Sequence, residues 1–345
     1  MEPALTTSGP QVRKRVAVIG TGGTFAMRAR HPFDWVEYGE SGIVTGINQL
    51  LADFGDLGDV ADSVELVPVT FRALGSTGIT PQDWMELAQL ILDTLNEQPT
   101  IDGFIITHGT ATLEETAWFL ELAVTTDKPI VLTGAQRPAN TAGSDAPGNL
   151  RAALAVARSA QMRDAGVLVV MDGHIFSARD VTKAASFDLN AFEAVPYGPL
   201  GTVLPNGDVL VRRQPVRRPV LPPINFSSLP ALPRVDIVTS YAGADRVAID
   251  ALVAAGAQGI VNAGLPPGRP SNAQMAALAD AIQGGTVVVQ SSRASRVMVP
   301  PQQFLRAIGA LAGGDLSPQK LRIFLMLALT HTRDPVVLQQ WLLAI

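Results

Sequence analysis

Hydroxyl side chains lie beside glycines in three segments of the sequence, each of which follows an apolar run. These segments are Thr21 to Thr24, Gly75 to Gly78 and His108 to Thr110, and a fourth loop, Gly134 to Arg137, follows a further apolar run. Hydroxyl groups supply nucleophiles and hydrogen-bond acceptors, and glycine allows backbone N–H groups to approach a ligand closely. The pattern predicts a site built from threonine and serine.

One lysine stands out because lysine is rare in this chain. Only four of the 26 basic residues are lysines, so arginine is the usual cation here. Lys183, in the segment Asp180 to Ala184, is therefore a candidate general base, since burial lowers the pKa of an amine but cannot neutralise a guanidinium. A structural hydrogen-bonding role for this lysine is the alternative, and it is the commoner outcome.

Each of the other polar residues also has a purely structural interpretation. The run Gly20 to Phe25 is similar to a dinucleotide-binding G-x-G-x-x-G loop, but its sixth residue is Phe and no lysine follows, so phosphate binding is disfavoured. Thr110 is also compatible with an ordinary loop hydroxyl, and His108 with a partner for backbone groups. Thr112, Ser144 and Asp145 have the positions of helix caps.

Apolar strands alternate with amphipathic helices along most of the chain, which predicts an α/β fold with a mostly parallel sheet. The N-terminal series of strands is expected to close at Val167 to Met171. Residues 213–233 are rich in proline and are predicted to be an interdomain linker. The predicted domains are therefore 1–212, a larger catalytic domain, and 234–345, a smaller α/β domain.

Four helix starts follow from local sequence signals. Capping boxes are predicted at Thr80 to Asp83 and at Thr112 to Glu115, and an N-cap followed by proline is predicted at Ser317-Pro318 and at Asp334-Pro335.

Composition excludes several functional classes. Hydrophobic residues make up 47% and charged residues 17%, and the net charge of −5 disfavours nucleic-acid binding. The chain has no cysteine and four scattered histidines, so we expect no metal site. No apolar stretch approaches the roughly 20 residues of a membrane span. The N-terminal residues lack a signal-peptide pattern, which predicts a cytoplasmic protein.

Collinear motifs resemble the bacterial asparaginase/glutaminase family of threonine-dependent amidohydrolases. They are TGGTFA (21–26), ITHGTATLEETAWFL (106–120), KPIVLTGAQRP (128–138), ARDVTKA (178–184), YGPLG (197–201), SSR (291–293) and SPQKLRIFLMLALTHTRDP (317–335). The resemblance implies a two-domain asparaginase-like fold and a small amide as substrate, without cofactor or metal. It also implies a homotetramer in which a neighbouring subunit completes each site.

The resemblance also implies roles for individual residues. Thr24 matches the nucleophile that attacks the side-chain amide, and Tyr38 matches a tyrosine on a mobile lid that hydrogen-bonds to this nucleophile. Thr110 and Lys183 match the pair that activates the nucleophile or water. The expected substrate-binding residues are Ser76 for the α-carboxylate, Thr77 at a position usually held by Gln, and Gly109 and Ala111 in the segment HGTAT (108–112). Ala135 is also expected to bind substrate, because backbone N–H groups near Thr110 and Ala135 would form an oxyanion hole.

The sequence departs from the family pattern where the substrate α-amino group is bound. The usual HGTDT is HGTAT here, so Ala111 replaces an aspartate that in relatives pairs with the ammonium and contacts the lysine. A second acid, expected after SSR, is also missing, and Leu265 to Pro270 replaces a segment that usually supplies an asparagine. Three functions remain open: an asparaginase with weakened amino-group recognition, a hydrolase of another small amide, and a non-catalytic ligand-binding descendant.

Overall fold

The computed structural model describes residues 13–55, 57–215 and 221–345. The N-terminal segment on which the signal-peptide prediction rests lies almost wholly outside these ranges, and so do residues 216–220 of the predicted linker. The exact domain bounds, 1–212 and 234–345, stay a prediction.

An eight-stranded sheet forms the N-terminal part of the molecule, in the order β10-β9-β6-β5-β4-β3-β1-β2. Its strands are β1 Lys14–Gly20, β2 Val64–Val69, β3 Gly103–Thr107, β4 Ile130–Thr133, β5 Val167–Met171, β6 His174–Ser177, β9 Gly201–Val203 and β10 Val209–Val211. The first five are parallel, as predicted. A separate hairpin pairs β7 Thr182–Lys183 with β8 Phe192–Glu193.

The prediction that the series closes at Met171 was wrong, because three antiparallel strands extend the sheet. The reversal occurs at Asp172 and Gly173, which both have positive φ and join paired residues Met171 and His174. An Asp-Gly pair in a two-residue loop matches the twist of a tight hairpin.

Helices cover both faces of this sheet. They are α1 Ile47–Phe54, α2 Asp59–Asp62, α3 Pro81–Glu97, α4 Leu113–Ala123 and α5 Ala146–Ala157. One apolar core contains α3 and α4, and another on the opposite face contains α5. Thr80 and Asp83 form the predicted capping box of α3.

A smaller four-stranded parallel sheet, in the order β11-β12-β13-β14, forms the C-terminal part. Its strands are β11 Val235–Thr239, β12 Gly259–Gly264, β13 Val287–Ser292 and β14 Leu311–Ala312, and its helices are α6 Val247–Ala254, α7 Asn272–Gln283, α8 Gln303–Ile308, α9 Pro318–Ala328 and α10 Pro335–Ala344. Ser317 and Asp334 cap α9 and α10 as predicted. Among the described residues, no helix has the length and apolar character that a membrane span requires.

Helix α9 joins the two sheets and fixes the segment that leads to Lys183. Its apolar side chains pack in the same core as those of α4. The indole N–H of Trp118, on α4, donates to the carbonyl of Lys320 at 3.0 Å. The buried amine of Lys320 donates to the carbonyls of Arg179 and Val181, and burial lowers its pKa to about 8. The backbone just before Lys183 is thus held by a residue 140 positions away in sequence.

Candidate active site

The three glycine and hydroxyl loops meet at the carboxyl edge of the large sheet. A β-carbon on Gly23 would lie 2.2 Å from the Cα of Gly109, and one on Gly109 would lie 2.1 Å from the Cβ of Ser76. The loops after β1, β2 and β3 therefore pack backbone against backbone, which only glycine permits at these two positions. The structure thus brings together loops of which the first and third, at Gly23 and Gly109, are 86 residues apart in sequence.

Gly23→Ala is expected to destabilise the fold by about 3 kcal/mol or more, because a positive φ of +72° is combined with overlap against backbone. Gly256→Ala is the matched control, since Gly256 also has a positive φ, of +85°, but open space around it. The control should cost only about 1 to 2 kcal/mol. Urea unfolding measures both, and equal losses would show that the loop contact does not constrain the fold.

Thr24 and Tyr38 form the first hydroxyl pair of the site. The Oγ1 atom of Thr24 lies 2.7 Å from the phenolic oxygen of Tyr38, and Thr24 is buried. Tyr38 begins a short 3-10 helix, Tyr38–Ser41. The buried carboxylate of Asp34 holds the turn before it by accepting from the backbone N–H of Glu37 at 2.9 Å. The contact matches the pairing that the resemblance implies for these residues.

Thr110 and Lys183 form the second pair. The Nζ atom of Lys183 lies 2.7 Å from the Oγ1 atom of Thr110, so the amine points toward a threonine hydroxyl. Thr110 is buried in the loop after β3, and Lys183 ends the short strand β7. Thr24 and Thr110 each directly follow one of the two glycines in contact, Gly23 and Gly109, which places both pairs in the same region.

Burial lowers the pKa of the Lys183 amine, and the carboxylate of Glu114 opposes this shift. Glu114 lies near the start of α4, where its Oε2 atom accepts from the backbone N–H of Lys183 at 3.2 Å. A lowered pKa makes the neutral amine more accessible near physiological pH, as a general base requires. From sequence, Glu114 is identified only as part of a capping box, because its contact with Lys183 joins segments 69 residues apart.

Thr112 and Asp145 lie at the N-cap positions of α4 and α5, as predicted, but neither side chain makes the expected capping hydrogen bond. Thr112 makes no capping hydrogen bond, and its hydroxyl donates instead to the carbonyl of Ser76 at 2.7 Å, which ties two site loops together. Asp145 makes no capping hydrogen bond either, because its carboxylate accepts from the backbone N–H groups of Gln136 and Arg137 at 3.0 to 3.1 Å. In both cases a tertiary partner competes successfully for the side chain.

The buried side chain of His108 links the site loop after β3 to helix α4. Its Nδ1 atom lies 2.8 Å from the carbonyl of Gly109, and its Nε2 atom lies 2.9 Å from the hydroxyl of Thr116. Complete burial lowers its pKa to about 4, so the imidazole is neutral at physiological pH. The structural interpretation given to His108 from sequence is confirmed.

The predicted substrate-binding residues differ in exposure. Thr77 and Ala111 are exposed, Ser76 is half-buried, and Ala135 is fully buried at the end of β4. Gln136, which sequence reasoning did not select, contacts both Thr110 and Lys183.

Within the described ranges, no three His, Asp or Glu side chains converge closely enough to hold a metal ion.

Models of two protein domains match this chain. The model described as "Asparaginase, N-terminal" matches residues 15–217, and the "Glutaminase/Asparaginase C-terminal domain" matches residues 234–342. The chain belongs to the asparaginase family. This confirms the predicted family and the two-domain α/β fold, and with them the prediction that the chain is an amidohydrolase.

Individual members of the asparaginase family show the same relationship. L-asparaginase 2 of Escherichia coli is 41% identical over 270 residues, which cover 77% of this chain and 76% of that protein. A probable periplasmic L-asparaginase of Haemophilus influenzae is 40% identical over 277 residues, 78% of this chain and 76% of that protein. The crystal structure of a probable cytoplasmic L-asparaginase from Campylobacter jejuni is 34% identical, has a TM-score of 0.87, and matches over 96% of this chain and all of its own.

Proposed function

We propose that this enzyme releases ammonia from the side-chain amide of L-asparagine or a close analogue through a threonine acyl-enzyme. The observation that carries the proposal is the Lys183 amine held 2.7 Å from the Thr110 hydroxyl, in loops packed against the one that bears Thr24. A hydroxyl, an amine with a lowered pKa and a second hydroxyl are the groups that such a reaction requires.

In the proposed reaction, the Oγ1 atom of Thr24 attacks the amide carbon. Its proton leaves through the hydrogen bond to Tyr38 as the C–O bond forms. Backbone N–H groups near Thr110 and Ala135 stabilise the negative oxygen of the tetrahedral intermediate. The C–N bond then breaks, the nitrogen takes the proton that passed from Thr24 through Tyr38, and ammonia leaves. Water, activated by Thr110 and Lys183, hydrolyses the ester and restores Thr24.

A substrate without a free α-amino group is the second candidate, and the exposed methyl group of Ala111 favours it. Glu114 and Asp145, two carboxylates at the described site loops, each accept hydrogen bonds from backbone amides. An ammonium desolvated without an anionic partner costs several kcal/mol. We therefore propose that recognition of the substrate amino group is weak.

A panel of amides tests both proposals. We expect kcat/KM for asparagine to exceed that for succinamate or N-acetylasparagine by less than about 10-fold. A hydrogen bond between the substrate ammonium and a carboxylate contributes about 1.5 to 3 kcal/mol, and Ala111 cannot form one. Ala111→Asp should raise this preference by about 10-fold or more. Strong wild-type preference for free asparagine would contradict weak amino-group recognition, and no ammonia from any amide would contradict the catalytic proposal.

A homotetramer and a cytoplasmic location are further proposals. The first follows from the family resemblance, and the second from the similarity to a probable cytoplasmic L-asparaginase. Sedimentation velocity tests the first, with a monomer as the contradicting result. Fractionation of the native host tests the second, and recovery of the protein outside the cytoplasm would contradict it.

A further inference from the structure

The side chain of Gln136 contacts both the hydroxyl of Thr110 and the amine of Lys183. Its Oε1 atom lies 3.1 Å from the Nζ of Lys183 and 3.2 Å from the Oγ1 of Thr110, and these two atoms are themselves 2.7 Å apart. The three polar atoms thus form a closed triangle. Gln136 is about nine-tenths buried, so water does not compete freely for its amide.

The orientation of the Gln136 amide follows from its partners. Its nitrogen Nε2 lies 2.9 Å from the carbonyl oxygen of Asp188, which accepts but cannot donate. Only the NH₂ end of the amide can satisfy that carbonyl, so the oxygen must face Lys183 and Thr110. The amide oxygen is therefore fixed as an acceptor toward the amine.

The backbone of Gln136 is fixed as well. The carboxylate of Asp145 accepts from the N–H of Gln136 through both oxygens, at 3.0 and 3.1 Å, and from the N–H of Arg137 at 3.0 Å. A side chain held at its backbone and at its far end loses little entropy on forming the contacts between them. The position of the amide oxygen is thus set before substrate binds.

A neutral amine can take a proton from Thr110 only if its lone pair faces the hydroxyl. An acceptor that takes one N–H bond of the amine achieves this, because it leaves the lone pair free to face the hydroxyl. The Oε1 atom of Gln136 is such an acceptor. We infer that Gln136 is the positioning residue of a Thr110–Lys183–Gln136 triad, in which a neutral amide orients the amine. This inference rests on the proposed function and deepens it.

Because the side chain of Gln136 is uncharged, an acidic residue at this position should change the pH dependence of the rate. The charged group that acts on the Lys183 amine is Glu114, on α4, while Thr110 and Gln136 face it as neutral groups. A carboxylate at position 136 would add a negative charge about 3 Å from the nitrogen and stabilise the ammonium. The rate rises with pH as the amine loses its proton, so the ascending limb should move to higher pH.

Two variants of Gln136 separate positioning from packing. Gln136→Leu keeps the size but removes the acceptor, and we expect kcat to fall by about 100-fold with KM within about threefold. Gln136→Glu keeps the shape and the acceptor toward Lys183 but loses the donor to the Asp188 carbonyl, and we expect the midpoint of the ascending limb to rise by at least about one pH unit. Its activity should return toward wild type above that midpoint, whereas Gln136→Leu should stay slow. Gln319→Glu, on the exposed surface of α9, is the matched charge control.

Competitive labelling of the amine measures its titration without turnover. Trace acetic anhydride acetylates neutral amines, and exposed Lys14 serves as the internal reference. The labelling midpoint of Lys183 should rise in Gln136→Glu by the same amount as the kinetic midpoint. Unchanged midpoints in both assays, or a kcat within threefold of wild type in Gln136→Leu, would overturn the inference. A wild type that labels as expected but releases no ammonia would overturn the proposed function alone.

Discussion

Thr24→Ala is expected to lower kcat for amide hydrolysis by about 10⁴-fold or more, because it removes the proposed nucleophile and leaves no other hydroxyl bonded to Tyr38 in the described contacts. Steady-state ammonia release measures this loss. Thr24→Ser keeps a hydroxyl and should retain part of the activity. The acyl-enzyme, trapped by acid quench and detected by intact mass, should form on the wild type and be absent in Thr24→Ala.

Thr21→Ala is the matched control for this variant. Thr21 belongs to the same loop, but its hydroxyl donates to the carbonyl of Thr107 at 3.0 Å and not to a group of the site. The control should lose about 1 kcal/mol of stability and keep kcat within about 10-fold of wild type. If Thr24→Ala retained wild-type turnover, the nucleophile would have to be another residue, and Thr110 would be the next to test.

Lys183→Met is expected to lower kcat by about 10³ to 10⁴-fold, the range typical of losing a general base together with its orientation. Methionine is close to lysine in length but cannot accept or donate the proton that passes to and from Thr110. The ascending limb of the pH–rate profile should also disappear, because the group whose deprotonation produces it is gone. Turnover from pH 5 to 10 measures both effects.

Lys14→Met controls for the general loss of a lysine. The amine of Lys14 is exposed and pairs with Asp102 at 3.0 Å on the surface, where an ion pair contributes at most about 1 kcal/mol. Its kcat should equal that of wild type. A Lys183→Met enzyme with an unchanged ascending limb would show that another group titrates there.

The parallel core and its helix starts could be predicted because their signals are local. The capping box at Thr80 and the serine and aspartate caps of α9 and α10 depend on residues within three positions of each other. The Asp172-Gly173 hairpin could also be predicted from sequence, since this pair is typical of a two-residue loop. The prediction that the strands end at Met171 was wrong because it did not include the apolar residues after Gly173 as a strand.

The N-cap positions of Thr112 and Asp145 are as predicted, but their capping hydrogen bonds are absent for a reason that sequence does not contain. Each side chain has a local partner and a distant one, and the fold places the distant one within reach. The carbonyl of Ser76 takes the hydroxyl of Thr112, and two loop amides take the carboxylate of Asp145. These bonds stabilise the site loops, which is a role that spacing along the chain cannot reveal.

The sequence by itself determined the family, the α/β class and the identity of the hydroxyl and amine groups proposed to act. These depend on residue types in order along the chain. Only the tertiary structure decided how Lys183 is held, since Thr110, Gln136 and Glu114 reach it from three other segments. Contacts within about 3 Å depend on how loops, strands and helices pack, and that packing is a property of the whole folded chain.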